Sequence, residues 1–97
     1  MAGYIVLGKY TEEGLQNLKD MPEIIAKHRA NCEKQGIRLI GTWYTFGEYD
    51  FCSIYDAPDD LAMAERVLDT AQGGLAKTTT VRALSEEEFA QVVEKLP

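Results

Sequence analysis

Four stretches of apolar, aromatic and β-branched residues recur along the chain, separated by two longer helical patterns. The first stretch runs from Gly3 to Tyr10, and its centre Tyr4-Ile5-Val6-Leu7 is apolar at every position, which predicts a buried strand. Similar stretches cover Ile37 to Thr45, Phe51 to Tyr55 and Lys77 to Leu84. We therefore predict four strands.

Capping residues indicate where the helices between these strands begin and end. Asp20 as a cap, an early Pro22 and Glu23 at a capping-box position predict the start of the main helix, and Gly36 predicts its end. Gly73-Gly74 ends the next helix. The predicted helices are a short segment after the N-cap Thr11, the main helix from about Met21 to Gln35, a second helix from about Asp59 to Gln72, and a final short helix that begins at the cap Ser85-Glu86-Glu87-Glu88 and ends at Leu96.

The resulting order is β-α-β-β-α-β followed by a helix, which predicts an α+β fold of the ferredoxin-like, split βαβ type. In such a fold both crossover helices lie on one face of an antiparallel sheet, and the other face needs another cover. Alternation along the strands assigns residues to the two faces. We assign Ile5, Leu7, Cys52, Ile54, Val81 and Ala83 to the helix side, and Tyr4, Val6, Tyr10, Phe51, Ser53, Tyr55, Thr78, Thr80 and Arg82 to the opposite side.

The second of these sets is too aromatic for an ordinary solvent surface. Contiguous apolar area of this kind marks a partner or ligand surface, and docking of two sheets would bury it. We therefore predict a homodimer, or a higher homo-oligomer, that forms through the face carrying Tyr4, Phe51, Tyr55 and Arg82.

Length and charge narrow the class of protein further. The 97 residues suffice for one core, so residues 1–97 are predicted to be a single domain. A net charge of -6 disfavours binding to nucleic acid, whose phosphates attract a basic surface. No apolar run approaches the roughly 20 residues that span a bilayer, and no signal-peptide pattern is present, so we expect no membrane association and a cytoplasmic location. Cys32 and Cys52 are expected to be reduced there.

The segment Gly47-Glu48-Tyr49-Asp50 joins the second and third strands as a hairpin. Gly47 suits a turn position with positive φ, and the Asp50 side chain is suited to hydrogen bonds with nearby backbone amides. A structural hairpin explains these residues, and the alternative is that Glu48, Tyr49 and Asp50 form a polar rim over a pocket.

Several segments resemble a known family, and together they cover nearly the whole chain. They are Tyr4-Ile5-Val6-Leu7-Gly8-Lys9-Tyr10-Thr11, Thr45-Phe46-Gly47-Glu48-Tyr49-Asp50-Phe51, Ala57-Pro58-Asp59-Asp60, Thr80-Val81-Arg82-Ala83 and Glu86-Glu87-Glu88-Phe89. The chain resembles GYD domain proteins. This resemblance implies a dimeric α+β barrel, in which two ferredoxin-like subunits pack sheet against sheet. That wider group includes cofactor-free monooxygenases, isomerases, haem-binding proteins and binding modules, so the fold alone assigns no activity.

His28 is the only histidine, and its helical spacing places it on one face with Ile24, Ile25 and Cys32. Three roles are open for His28: a half-buried packing residue, a pocket acid, base or axial haem ligand, and one ligand of a small metal site with Cys32 and Cys52. A metal site lacks a sufficient ligand set, so we predict no metal and no cofactor, with haem through His28 as the minor alternative. His28 and Asp50 are the catalytic candidates.

The predicted ligand-binding residues combine charge with aromatic surface. Arg82 offers a planar set of donors to a carboxylate or phosphate, and its alternative role is an inter-subunit ion pair. Tyrosine and tryptophan near strand ends combine apolar contact with one hydrogen bond. The set is Lys9, Tyr10, His28, Trp43, Tyr44 and Arg82.

Three functions remain open on the sequence. The first is a small homo-oligomeric ligand-binding or accessory protein, with a pocket between helix and sheet for a small organic or anionic molecule. The second is a cofactor-free monooxygenase or isomerase in which His28 or Asp50 moves a proton and Trp43 or Tyr44 positions the substrate. The third is a dimer that serves only as an assembly unit. No serine nucleophile elbow, dinucleotide loop or P-loop is present.

Overall fold

The computed structural model describes all 97 residues, and each predicted strand and helix is present with bounds that agree to within two residues. The elements are β1 (Ala2–Tyr10), α1 (Glu12–Gln16), a 3₁₀ helix (Leu18–Asp20), α2 (Met21–Lys34), β2 (Arg38–Tyr44), β3 (Phe51–Ala57), α3 (Asp60–Gln72), β4 (Ala76–Ala83) and α4 (Glu86–Glu94). None of the helices is both long and apolar enough to cross a lipid bilayer.

The four strands form one antiparallel sheet in the order β2-β3-β1-β4. The register places Ile5 opposite Ile54 on β3 and opposite Val81 on β4. On the outer strand β2 the register shifts between Leu39 and Gly41, which is a β-bulge. This topology confirms the α+β, ferredoxin-like fold.

The core lies on the face of the sheet that carries Tyr4, Val6 and Tyr55, each of which is 5% exposed. These side chains pack against Cys32 of α2 and Met63 of α3. The predicted assignment of the two faces is therefore wrong. The side chains that were assigned to the side opposite the helices, Tyr4, Val6 and Tyr55 among them, face the helices. The prediction of a dimer interface through Tyr4, Phe51, Tyr55 and Arg82 is wrong for the same reason, since Tyr4 and Tyr55 are already buried within the single chain.

The opposite face of the sheet has no helix packed on it and is called the open face below. Its apolar side chains are Ile5, Leu7, Cys52, Ile54, Val81 and Trp43. The Trp43 ring lies across Gly41, where an added Cβ would be only 2.8 Å from the ring. Val81 remains 43% exposed and Trp43 53% exposed. The chain therefore has an apolar sheet surface that its own helices do not cover.

Local hydrogen bonds fix most of the predicted helix starts. The Thr11 side chain accepts from the Gly14 amide at 3.1 Å, and Ser85 and Glu88 form a complete capping box. Asp20, by contrast, makes no side-chain cap bond to α2. Asp20 ends the preceding 3₁₀ helix and has a helical backbone, whereas a capping side chain usually needs an extended one.

The hairpin between β2 and β3 is hydrogen-bonded to β1 through Asp50. Gly47 has φ of +123°, which confirms the predicted positive φ. The Asp50 amide donates to the Gly8 carbonyl at 2.8 Å, and the Asp50 carboxylate accepts from the Tyr10 amide at 2.9 Å. The Asp50 side chain thus has the backbone-bonding role that its position in the turn predicts.

Candidate functional site

A cavity of about 320 Å³ lies between α2, α3 and the helix-covered face of the sheet. Its volume is at the lower end of the range for small-molecule sites. Most of its wall is apolar, with Val6 and Leu39 from the sheet, Ile24 and Ile25 from α2, and Met63 and Val67 from α3. The amphipathic spacing of both helices directs these side chains toward the sheet.

His28 and Tyr55 form a hydrogen-bonded pair in the wall of this cavity. The Nε2 atom of His28 lies 2.9 Å from the Tyr55 hydroxyl, and the two rings meet edge to face. Cys32, one helical turn beyond His28, places its Sγ 3.7 Å from the same Nε2 atom. His28 is half-buried, as its helical position predicted.

Both members of the pair are neutral near pH 7. Burial lowers the pKa of His28 below its usual 6.5, and the positive charges of Arg66 and Arg29 lower it further. Burial raises the pKa of Tyr55 to about 12. The pair can therefore offer one neutral donor and one neutral acceptor to a molecule in the cavity.

Arg66 is the charged group closest to full burial, with only 4% of the residue exposed, and it lines the cavity. Its Nη1 donates to the side-chain oxygen of Gln35 at 3.2 Å, and Nη2 contacts the Asp69 carboxylate. The buried Nε atom has no hydrogen-bond partner. Arg66 is not among the residues predicted from the sequence, although its i+3 spacing from the buried Met63 places it on the inner side of α3.

The structure brings three of the predicted ligand-binding residues together. Tyr10, His28 and Tyr44 line the cavity. Lys9 and Trp43 belong to the open face, and Lys9 extends its Nζ over the Tyr49 ring at 5.6 Å.

Arg82 lies outside the cavity as well. Its guanidinium stacks on the Tyr4 ring, 5.5 Å from the ring centre, and contacts the Glu88 carboxylate at 3.4 Å. Asp50, the second catalytic candidate, is also absent from the cavity wall. The ligand-binding and catalytic roles of all these residues stay predictions.

The two cysteines lie on opposite sides of the sheet and are both free thiols. No three side chains of the histidine, cysteine, aspartate and glutamate types cluster in a way that would hold a metal ion. An axial haem ligand needs a free imidazole nitrogen facing the iron. Here Nε2 of His28 faces the Tyr55 hydroxyl at 2.9 Å, and haem ligation through His28 stays a prediction.

The sheet, the two helices on one face and the cavity between them define a small ferredoxin-like α+β protein. The family model of the GYD domain matches residues 4–93, and the chain belongs to the GYD domain family. A relative from Thermus thermophilus is 32% identical over 85 residues, which cover 87% of this chain and 90% of that protein. That relative is named glutamine synthetase and cystathionine beta-lyase binding protein.

Proposed function

We propose that this protein is an accessory protein that binds metabolic enzymes, with glutamine synthetase and cystathionine beta-lyase as the first partners to test. The observation that carries the proposal is the similarity to the Thermus thermophilus binding protein along 90% of that protein's length. A shared domain of this extent supports a shared mode of action, namely contact with larger enzymes.

The feature that best fits an enzyme partner is Phe46 at the tip of the β2–β3 hairpin, which is flanked on β2 by Trp43 on the open face and Tyr44 on the helix-covered face. Phe46 is 99% exposed, and the other two rings are more than half exposed. Tryptophan, tyrosine and phenylalanine are enriched at the centres of protein interfaces, where they contribute most of the binding energy. Phe46, the most exposed of the three rings, is therefore the one best placed to contact a partner.

Binding of the purified enzymes to the immobilised protein tests this proposal, with Phe46→Ala as the informative variant. Phe46 contacts little within its own subunit, so its removal should leave the fold intact and weaken enzyme binding about tenfold or more. Leu61→Ala, at an 82% exposed position on α3, is the matched control and should bind normally. Absence of binding to either enzyme by the unmodified protein would contradict the proposed partners.

We also propose that the protein is a homodimer that forms through the open face. The open face is apolar along three neighbouring strands, through Ile5, Ile54 and Val81, and no helix of the same subunit covers it. Sheets of this kind pack face to face, and a stable interface buries on the order of 800 Å² on each partner.

Light scattering coupled to size-exclusion chromatography measures this association. Ile54→Lys introduces a charge at the centre of the open face, so we expect a dimer for the unmodified protein and a monomer for this variant. Leu61→Lys places the same charge on an exposed part of α3 and should remain dimeric. A monomer at micromolar concentration for the unmodified protein would refute the dimer.

The cavity beneath α2 and α3 is the proposed site for a small organic molecule. Its apolar wall and few polar groups are typical of ligand sites, whereas a protein that serves only as an assembly unit needs no such space.

The two free cysteines fit the reducing conditions of the cytoplasm, where we place the protein.

A cofactor-free isomerase or monooxygenase is the second candidate, and one observation favours it. His28 is a neutral imidazole within the cavity, held by Tyr55, and this is the protonation state that a general base requires. Incubation of the protein with a small-molecule cell extract, followed by mass spectrometry, tests this function. Compounds consumed by the unmodified protein and not by His28→Gln would support it, and an unchanged extract would oppose it.

A further inference from the structure

The unpartnered Nε atom of Arg66 is the strongest unexplained feature of the cavity. A buried donor without an acceptor is destabilising, and more so when the group is charged. Such a group in a native protein calls for an explanation, and an acceptor that is not part of the chain is one of them. Arg66 is 4% exposed and lines the cavity, so an acceptor can reach the buried Nε from that side once a neighbouring side chain moves.

The contact between Arg66 and Asp69 indicates which acceptor fits. The Asp69 carboxylate already contacts Nη2, which shows that this side of the guanidinium is oriented to receive a carboxylate. Asp69 is 53% exposed, and ion pairs with one solvated partner contribute little to stability. A ligand carboxylate can therefore take over Nη2 while Asp69 turns to solvent, and its second oxygen can accept from Nε.

The rest of the cavity determines the body of the ligand. Beyond Arg66, the wall is formed mainly by aliphatic and aromatic side chains, among them Ile24, Ile25, Leu39 and Phe51. His28 and Tyr55 are neutral and bonded to each other, so they add no second charge to the site. The charged side chains along the wall are Arg66, its partner Asp69 and Lys27, so Arg66 without Asp69 matches a single negative charge on an otherwise apolar molecule.

We propose that the cavity binds a small monocarboxylate with an apolar or aromatic body, and that its carboxylate accepts hydrogen bonds from Nε and Nη2 of Arg66. This inference rests on the proposed function, which places a small organic ligand in the cavity. Arg66 then acts as the specificity-determining residue.

Three probes of one shape test the charge requirement on the unmodified protein: phenylacetate, phenylacetamide and phenylethylamine. Calorimetry should show phenylacetate binding about tenfold or more tightly than the neutral amide, because hydrogen bonds to a charged acceptor are about twice as strong as neutral ones. The amine should not bind measurably. Equal or weaker binding of the acid compared with the amide would overturn the inference.

Amide chemical shifts from nuclear magnetic resonance separate failure of the inference from failure of the proposed ligand site. If the acid and the amide bind equally and both shift residues of the cavity wall, the ligand site stands and only the role of Arg66 is wrong. If none of the three probes shifts those residues, both the inference and the proposed small-molecule site are refuted.

Arg66→Lys tests the geometry, because lysine retains the charge and loses the side-by-side donors Nε and Nη2. We expect phenylacetate affinity to fall about tenfold, which corresponds to loss of the paired hydrogen bonds, and amide affinity to stay unchanged. Arg29→Lys, the same change at an exposed position on α2, should leave both affinities unchanged. Equal phenylacetate affinity in a folded Arg66→Lys variant would contradict the inference. If that variant does not fold, the comparison of the three probes still decides.

Discussion

Gly14 provides a sharp test of the packing between α1 and the chain entering β4. Gly14 is buried within α1, and a Cβ added there would lie 2.0 Å from the carbonyl oxygen of Leu75. The same oxygen accepts a hydrogen bond from the Thr11 amide at 3.0 Å. Gly14→Ala therefore forces apart two backbone segments at one end of the cavity, where Leu75 also lines the wall.

Two opposing effects determine the result of this substitution. Alanine is favoured over glycine within a helix by about 1 kcal/mol, so helix propensity alone predicts a more stable protein. Ordinary contact begins at 3.4 Å, so the Leu75 carbonyl must retreat by about 1.4 Å from its 2.0 Å position. That shift breaks the bond to Thr11, worth about 1 kcal/mol, and strains the packing by about 1–3 kcal/mol.

We expect Gly14→Ala to lower the free energy of unfolding by about 2 kcal/mol, which is about 10 °C in melting temperature for a chain of this size. Urea denaturation followed by circular dichroism measures this change. Gly73→Ala is the matched control, because Gly73 has a helical backbone and only one neighbouring atom, 3.3 Å from an added Cβ. This control should be neutral or stabilising by up to ~1 kcal/mol. A Gly14→Ala protein as stable as the parent would refute the packing argument.

Three further predictions address the hairpin, the cavity and α4. Gly47→Val should lower the melting temperature through backbone strain alone, because the φ angle of Gly47 is +123° and no atom lies within 4 Å of an added Cβ. An unchanged calorimetric transition would contradict this. The pKa of His28 in the folded protein lies below 6.5, so as the pH falls through 6.5 the imidazole takes up a proton mainly in the unfolded chain, and this destabilises the fold. His28→Gln lacks this group and should therefore lose less stability than the parent between about pH 7.5 and 5. Parallel stability curves for the two proteins would oppose this. Ser85→Ala removes the N-cap of α4 and should unfold this helix without changing the global melting temperature. Hydrogen exchange would show this as faster exchange of the amides in residues 86–94. Slow exchange there would show that other contacts hold α4.

The sequence determined the secondary structure of this protein because its signals are local. Thr11 and Ser85 cap helices through bonds that span only three residues, and Gly36 and Gly47 have the positive φ that glycine adopts readily. The number and order of these elements allow few arrangements of the chain, so the ferredoxin-like topology also followed from the sequence.

Only the tertiary structure decided which face of the sheet carries the helices. Alternation separates two sets of side chains, but in β1 both sets are apolar, with Tyr4 and Val6 on one face and Ile5 and Leu7 on the other. A pattern of period two cannot rank two apolar faces, because each is suited to burial. The helices cover the set with Tyr4 and Val6, which leaves the other set without a helix packed on it.

The candidate site was likewise only partly visible in the sequence. His28 was recognisable because it is the single histidine and its helical spacing points inward. The importance of Arg66 became visible only in three dimensions, because arginine at one position of an amphipathic helix is common and its burial depends on how α2, α3 and the sheet close around it. The sequence specifies which groups each element presents, and packing between distant segments determines which of them share a cavity.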